Sequence, residues 1–311
     1  NFNSVIYNAL PLCAFIFLGD APGRSGIIGE SAREVLNTLF YYFELTGLLF
    51  IKVADSQVRD LLNSDFILAF YGAGLAVFII GVMLSKFVLG KDIGRAGLTG
   101  MAGAYPNVGY IGLPLTIFAF GDAATLPAVL ILTIDTALWI ALGTLCLEAG
   151  KGGGHYGEIL KNISRGLALN PLLIAIALGI AVSAMELAVP EPISVFCNLI
   201  GNAAPPCALF ALGAAIATRP VSMDHASPIV LMTTLKLIVH PALVFISLKL
   251  VGGINQMWVT VALIDAALPI ASNVFVLGQR YNTYVSEISS AVLISTLISV
   301  FSLSALLVYV I

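Results

Sequence analysis

The feature that most constrains this chain is a succession of apolar runs. Each is long enough to cross a lipid bilayer as a helix, and each is ended by glycine, proline or charge. Phe66–Leu89 is one of them: Lys86, close to its end, is its one charged residue. A spanning helix takes about 20 apolar residues, and a helix satisfies its own backbone hydrogen bonds where lipid offers none. The 311 residues have room for about ten such helices and no large soluble domain. Hydrophobic residues make up 59% and charged residues 10% of the chain, where a soluble domain carries roughly 25% charged. That excludes a soluble globular protein, a disordered chain and a disulfide-stapled secreted domain. An outer-membrane barrel would show short alternating strands instead. The fold class is therefore an all-α polytopic membrane protein.

Breaks at charge and glycine clusters place ten spans. They are Phe2–Leu18, Glu34–Ala54, Phe66–Leu89, Gly94–Gly121, Ala123–Ala149, Ala168–Leu187, Pro192–Thr218, Ser227–Val251, Gln256–Gln279 and Thr283–Ile311. An interfacial stretch, Glu158–Leu167, follows the flexible connector Lys151-Gly152-Gly153-Gly154-His155. The chain begins Asn1-Phe2-Asn3, with no basic region before its first apolar run, so the first span is expected to act as its own insertion signal. Arg24, Arg33, Lys86, Lys91, Arg95, Lys151, Lys161, Arg165, Arg219 and Arg280 then share one face, against Lys52, Arg59 and Lys249 on the other. Cytoplasmic loops carry the excess of lysine and arginine. Both termini are therefore expected outside, and the connector 150–158 inside, in a plasma or bacterial inner membrane.

The two halves repeat weakly. Leu10-Pro11-Leu12 matches Asn170-Pro171-Leu172 at an offset of 160, Leu49-Phe50 matches Leu209-Phe210 at 160, and Tyr105-Pro106 matches Leu268-Pro269 at 163. A near-constant offset over several spans predicts two five-helix repeats, 1–150 and 151–311. Five is odd, so the second copy enters the membrane from the opposite face, an inverted repeat of the kind found in secondary transporters.

The fourth and ninth spans are interrupted. Pro106, Gly109, Gly112 and Pro114 fall within nine residues of the fourth, too many helix breakers for a continuous helix. The ninth carries Leu268-Pro269-Ile270-Ala271-Ser272-Asn273 at the corresponding place. Paired breaks in corresponding spans point to a transporter binding site. Half-helix N-termini offer unpaired N–H groups and partial positive charge, which favour an anion. The amides of Asn107 and Asn273 add donors and acceptors without a buried charge. The bland alternative is a proline kink relieved by neighbouring helices.

Pro106-Asn107-Val108-Gly109-Tyr110-Ile111-Gly112-Leu113-Pro114-Leu115 resembles the signature of the auxin efflux carrier family, which includes bacterial malonate and malate permeases and plant auxin exporters. Matching stretches are Leu169–Leu173, Gly201–Pro206 with Leu209-Phe210, Lys236–Pro241, and Pro269–Val276 with Tyr281. The resemblance implies ten helices whose fourth and ninth cross at their prolines. Helices 1, 2, 6 and 7 would form a scaffold domain, often dimeric, and helices 3–5 and 8–10 a moving domain. It places the substrate carboxylate at Asn107 and Asn273, with Pro106, Gly109, Tyr110, Pro269 and Ser272 around them. One departure stands out: the family usually carries Ala-Leu-Pro where this chain has Glu44-Leu45-Thr46.

Glu44, Asp135, Lys236 and Asp265 sit inside predicted spans. Ionisable residues at bilayer depth are costly and mark ion or substrate pathways. One lysine does not neutralise three acids, so Asp265, Asp135 and Lys236 are candidates for binding a coupling proton or sodium ion; the alternative is a buried Asp–Lys pair that fixes packing. His240 reads as a packing or capping residue, and Ser295, Ser299 and Ser302 as a close-packing face. Cys13, Cys146, Cys197 and Cys207 form no CxxC pair and read as small packing residues. No His, Cys and acid cluster has metal-ligand spacing, and no cofactor is implied.

The chain carries no HExxH and no serine–histidine pairing on adjacent spans. Its Gly19-Asp20 and Gly121-Asp122 pairs fall at span ends, unlike the catalytic pairs of membrane aspartyl proteases. The function expected is a secondary transporter, not an enzyme. It would carry a small organic anion such as a dicarboxylate or auxin-like acid, by elevator-type alternating access, as a homodimer. A channel or a ligand-sensing receptor on the same fold is the alternative. With 17 acids against 14 bases and a net charge of -3, there is no basic surface for nucleic acid.

Overall fold

The structure is a computed structural model that describes residues 14–15, 17–56, 63–151, 156–218 and 225–310. The expectations resting on Leu10-Pro11-Leu12, Cys13, Arg59, Gly152–His155 and Arg219 lie outside the described residues. Most of the described chain is helical. α1 runs through 17–24. α2 is made of Glu30–Leu39, a π turn at Phe40–Glu44, and Leu45–Ala54. α3 is Ser64–Val88 and α4 is Ile93–Ala104. α5 is a π turn at Val108–Gly112 continued by Leu113–Phe120, and α6 is Thr125–Gly150. α7 (Tyr156–Ala168), α8 (Pro171–Ala184) and α9 (Glu191–Thr218) follow. α10 is Ala226–Val251, α11 is Gln256–Ala266, α12 is Ser272–Arg280 and α13 is Val285–Val310.

Five helical runs among the described residues are long and apolar enough to cross a membrane: Ser64–Val88, Val108–Gly150, Glu191–Ala211, Ala226–Val251 and Val285–Leu307. The second is 43 residues long and turns at Gly121, where φ of 66° suits a residue without Cβ. A sixth arises if Ile159–Ala168 and Pro171–Ala184, bent by 61°, count together. Part of the shortfall against ten has a local cause, and most of the first expected span lies outside the described residues. The fourth and ninth expected spans are each cut in two, at Tyr105–Asn107 and Ala267–Ala271, and α11 is a short apolar helix.

Helix starts follow from short polar side chains. Asn63 accepts from the Phe66 N–H at 3.0 Å, Asp92 from Arg95 at 3.0 Å, Asn170 from Leu172 at 2.9 Å, and Asn255 from Met257 at 2.8 Å. Each satisfies an N–H that the first turn leaves unpaired, and Pro171 adds a preset φ at the first position of α8. The starts of α5 and α12 lack any side-chain cap.

The helices pack in two groups. The second half of α2 packs on α8 and α9, while α3 packs on α4 and α10, α4 on α6, and α10 on α13. α9 reaches across to α5, and α2 touches α6. α7 is amphipathic: it buries Ile159 and turns Lys161 and Arg165 outward. The Lys52 ammonium pairs with the Asp122 carboxylate, tying the end of α2 to the turn between α5 and α6.

Candidate functional site

The two breaks meet. Pro106 and Ile270 form an antiparallel bridge, in which the Asn107 N–H donates to the Pro269 carbonyl and the Ala271 N–H to the Tyr105 carbonyl, each at 3.0 Å. The backbone groups freed by one broken helix are thus satisfied by the other, the remedy available where lipid supplies no partners. The Ile270 N–H goes to the Ser295 hydroxyl of α13 at 3.2 Å. Ser295 therefore does more than allow close packing: it holds the crossing. The Val108 N–H returns to the Pro106 carbonyl at 2.9 Å. With Asn107 at φ -81° and ψ 61°, this is an inverse γ-turn. It reverses the chain tightly enough for α5 to start beside the bridge.

Two uncapped helix starts then converge. Asn107 is 3% exposed, and its Nδ2 has no hydrogen-bond partner. A buried donor left unpaired costs about 1–3 kcal/mol, a cost that an acceptor beside Nδ2 would offset. Asn273, half-buried in the first turn of α12, donates from Nδ2 to the Tyr105 hydroxyl at 2.8 Å. A small cavity touches both amides; Pro106, Gly109, Tyr110, Tyr41 and Thr136 also line it. Tyr110 lies against the Phe40 ring at 4.8 Å between centroids. Pro269 is buried and contributes its carbonyl, and Ser272 is half-buried in the first turn of α12.

A larger cavity of about 460 Å³ adjoins the small one, sharing Tyr41 and Asn273 with it. It runs between α6 and α12 on one side and α7 and the start of α8 on the other, and reaches Glu148, Lys151, Arg280 and Tyr281. Tyr281 donates to Glu148 Oε1 at 2.6 Å, and Lys151 Nζ lies 3.7 Å from the same oxygen. Burial, and then the carboxylate it bonds, push the Tyr281 hydroxyl up to about 12. It therefore remains a donor at neutral pH.

Of the two glycines in the fourth-span motif, the geometry demands the one not named as a site residue. A Cβ on Gly109 would meet Leu132 at 3.5 Å and Leu45 at 3.8 Å, ordinary contact. A Cβ on Gly112 would stand 2.6 Å from Asp265 Oδ1 and 2.6 Å from Leu268 Cδ1. Asp265 thus presses directly on the half-helix that carries Asn107.

Asp135, Asp265 and Lys236 gather beside the crossing, all fully buried. Asp135 Oδ1 accepts from Trp139 Nε1 at 2.7 Å, and its Oδ2 has no partner. Both oxygens of Asp265 lack partners. Lys236, in a π turn of α10, donates to the Ala266 carbonyl at 2.6 Å and meets His240 Nδ1 at 2.7 Å. Among the described residues no ion pair within 4.0 Å joins Lys236 to either acid, although both lie within its electrostatic reach. His240 packs edge-on against Phe70 as well as bonding Lys236. Glu44 is buried in the π turn of α2, facing the Cys207 thiol, with Oε2 unpartnered. Thr46 returns its hydroxyl to the Tyr42 and Phe43 carbonyls.

Several participants went unnamed as site residues at the sequence level. Tyr41, Tyr105 and Thr136 line the crossing, and Asn170, which caps α8, lines the larger cavity. Tyr105 stands next to the proline break and Asn170 next to Pro171, which are usable signals. Tyr41 sits in an unbroken apolar run and carries none.

A family described as membrane transport protein, the auxin efflux carriers, matches residues 4–307. A Rhizobium meliloti (strain 1021) protein named "Putative malonate transporter" is 33% identical over 299 residues, covering 96% of this chain and 93% of that one. An "Uncharacterized transporter" of Escherichia coli (strain K12) is 25% identical, covering 94% of this chain and 93% of its own. One of Methanothermobacter thermautotrophicus is also 25% identical, covering 94% of both. With a family match along nearly its whole length and long apolar helices to seat it in a bilayer, the chain belongs to the auxin efflux carrier family and is an integral membrane transport protein.

Proposed function

We propose that this protein is a secondary transporter that moves a small organic anion by elevator-type alternating access, with the substrate carboxylate bound at the crossing of the two broken helices. The observation that carries this is the buried, unpartnered Nδ2 of Asn107 between two uncapped helix starts. Amide donors bind an anion and release it again, where a fixed arginine would hold it more tightly. A dicarboxylate such as malonate, the substrate in the name of the Rhizobium relative, or an auxin-like aromatic acid fits this chemistry.

The mechanism needs a fixed and a moving body. The grouping of α2, α8 and α9 supports a scaffold that also includes α1, and the packing of α3, α4, α6, α10 and α13 supports the moving body. Ten spans in two inverted five-helix repeats, 1–150 and 151–311, complete the reading, with pairing into a homodimer through the scaffold. The larger cavity reaches the exposed Lys151 and Arg280, while Lys52–Asp122 joins the groups at the other end of α2 and α6. This supports a state open on one face and closed on the other. The charge bias places the open face, and connector 150–158, in the cytoplasm and both termini outside, in a plasma or bacterial inner membrane. Asp265, with Asp135 and Lys236, would bind the coupling proton or sodium ion. Three unpartnered carboxylate oxygens support this, as does the contact of Asp265 with Gly112 on the substrate's own half-helix.

Sealed vesicles loaded with purified protein test the function. A carrier gives saturable flux and counterflow of malonate or indole acetate; non-saturating flux without counterflow makes it a channel, and binding without flux makes it a receptor. A thermal-shift screen of dicarboxylates, aromatic monocarboxylates and amino acids selects the substrate. A ligand at 100 times its dissociation constant adds about 2.7 kcal/mol.

A further inference from the structure

We infer that Arg280 is an anion-capture station: the cation that a small carboxylate meets at the mouth of the larger cavity before it reaches the crossing amides, a role that rests on the crossover reading above. α12 links the two places. Asn273 lies in its first turn, where the cavities join, and Arg280 in its last, at the mouth. At a helical rise of about 1.5 Å per residue they are roughly 10 Å apart along the axis. Arg280 is exposed and Asn273 half-buried, so an anion arriving from the Arg280 end meets the guanidinium before the amide.

The charge balance of the mouth singles out Arg280. Glu148, Lys151 and Arg280 are the charged residues lining the cavity. Glu148 is held by the Tyr281 hydroxyl at 2.6 Å and by Lys151 at 3.7 Å. Lys151 also lies over the Tyr281 ring, 4.3 Å from its centroid. Acid and lysine offset one another, and Arg280 forms no ion pair among the described residues. One uncompensated positive charge is left at the entrance of a concave path whose other lining side chains are neutral. Such an arrangement concentrates counter-ions and raises their rate of entry, and salt weakens it. A dianion feels twice the force a monoanion does. An arginine at a helix C-terminus also complements the helix dipole, but that role affects stability alone and has no charge selectivity toward solutes.

The first test needs no knowledge of the substrate. Val276 lies exposed in the cavity wall, between Asn273 and Arg280 on α12. In a Val276→Cys protein, modification by anionic, neutral and cationic methanethiosulfonate reagents is timed, with the parent protein's own cysteine reactivity subtracted. Adding Arg280→Gln should slow the anionic reagent roughly two- to fivefold, the range of exposed charge interactions. The cationic reagent should speed up, the neutral one should be unaffected, and Arg280→Lys should restore the anionic preference. Unchanged ratios between the reagents overturn the inference. The second test is sided transport of malonate in vesicles. Arg280→Gln should lower flux at malonate concentrations well below KM by a similar factor, leave maximal flux from the Arg280 face intact and flatten the salt dependence. An unchanged salt dependence, or a loss of maximal flux alone, also overturns it. Asn107→Ala run in parallel separates the two readings. Weakened malonate binding there with unchanged Arg280→Gln behaviour removes the capture station and leaves the crossover standing.

Discussion

Replacing Asn107 by alanine tests the crossover in both its ligand-free and ligand-bound states. In the ligand-free protein the Nδ2 of this nearly fully buried residue has no partner, so its removal relieves a desolvation cost of about 1–3 kcal/mol. The lost packing offsets part of that gain. Asn107→Ala should therefore insert normally and unfold within about 1 kcal/mol of the parent. With ligand the sign reverses. A hydrogen bond to a charged group contributes about 1.5–3 kcal/mol, so affinity should fall roughly tenfold to hundredfold. At a malonate concentration 100 times the parent's dissociation constant, the parent gains about 2.7 kcal/mol, and the variant should gain about 0.4–1.4 kcal/mol. Thermal unfolding in detergent, with and without malonate or whichever anion the screen selects, measures both numbers. A well-folded variant with the parent's ligand shift would move the substrate site away from the crossing. A variant destabilised by several kcal/mol without ligand would make the amide structural.

Asp265→Asn should fold and transport, with the dependence of flux on pH or sodium flattened; unchanged profiles would make this acid structural. Gly112→Ala should cost about 1–3 kcal/mol, because its Cβ would overlap Asp265 and Leu268. Gly109→Ala, with room for a Cβ, should cost less, and equal costs in thermal unfolding would refute the contact with Asp265. An impermeant thiol reagent should label Gly153→Cys from the cytoplasmic side, and labelling from outside alone reverses the orientation.

Much of the architecture was written in local sequence. Helix boundaries followed apolar length and capping residues: Asn63, Asp92, Asn170 and Asn255 each mark a start that depends on a few consecutive residues. The breaks at Pro106 and Pro269 were legible for the same reason, since proline removes a donor wherever it stands. The interior position of Asp135, Lys236 and Asp265 followed from the apolar runs around them. What the breaks do to one another was not legible. The bond from Asn107 N–H to the Pro269 carbonyl joins residues far apart in the chain, and no local pattern encodes it. The same limit explains why Lys236 bonds His240 and the Ala266 carbonyl where a direct Asp–Lys pair was the alternative expected. Burial demands partners for a charge, but only packing decides which partners are in reach. Gly112 sets the difference most plainly. Its sequence marks a helix breaker, whereas tertiary structure alone brings a carboxylate to within 2.6 Å of the Cβ it lacks, because that closeness depends on how two distant helices cross.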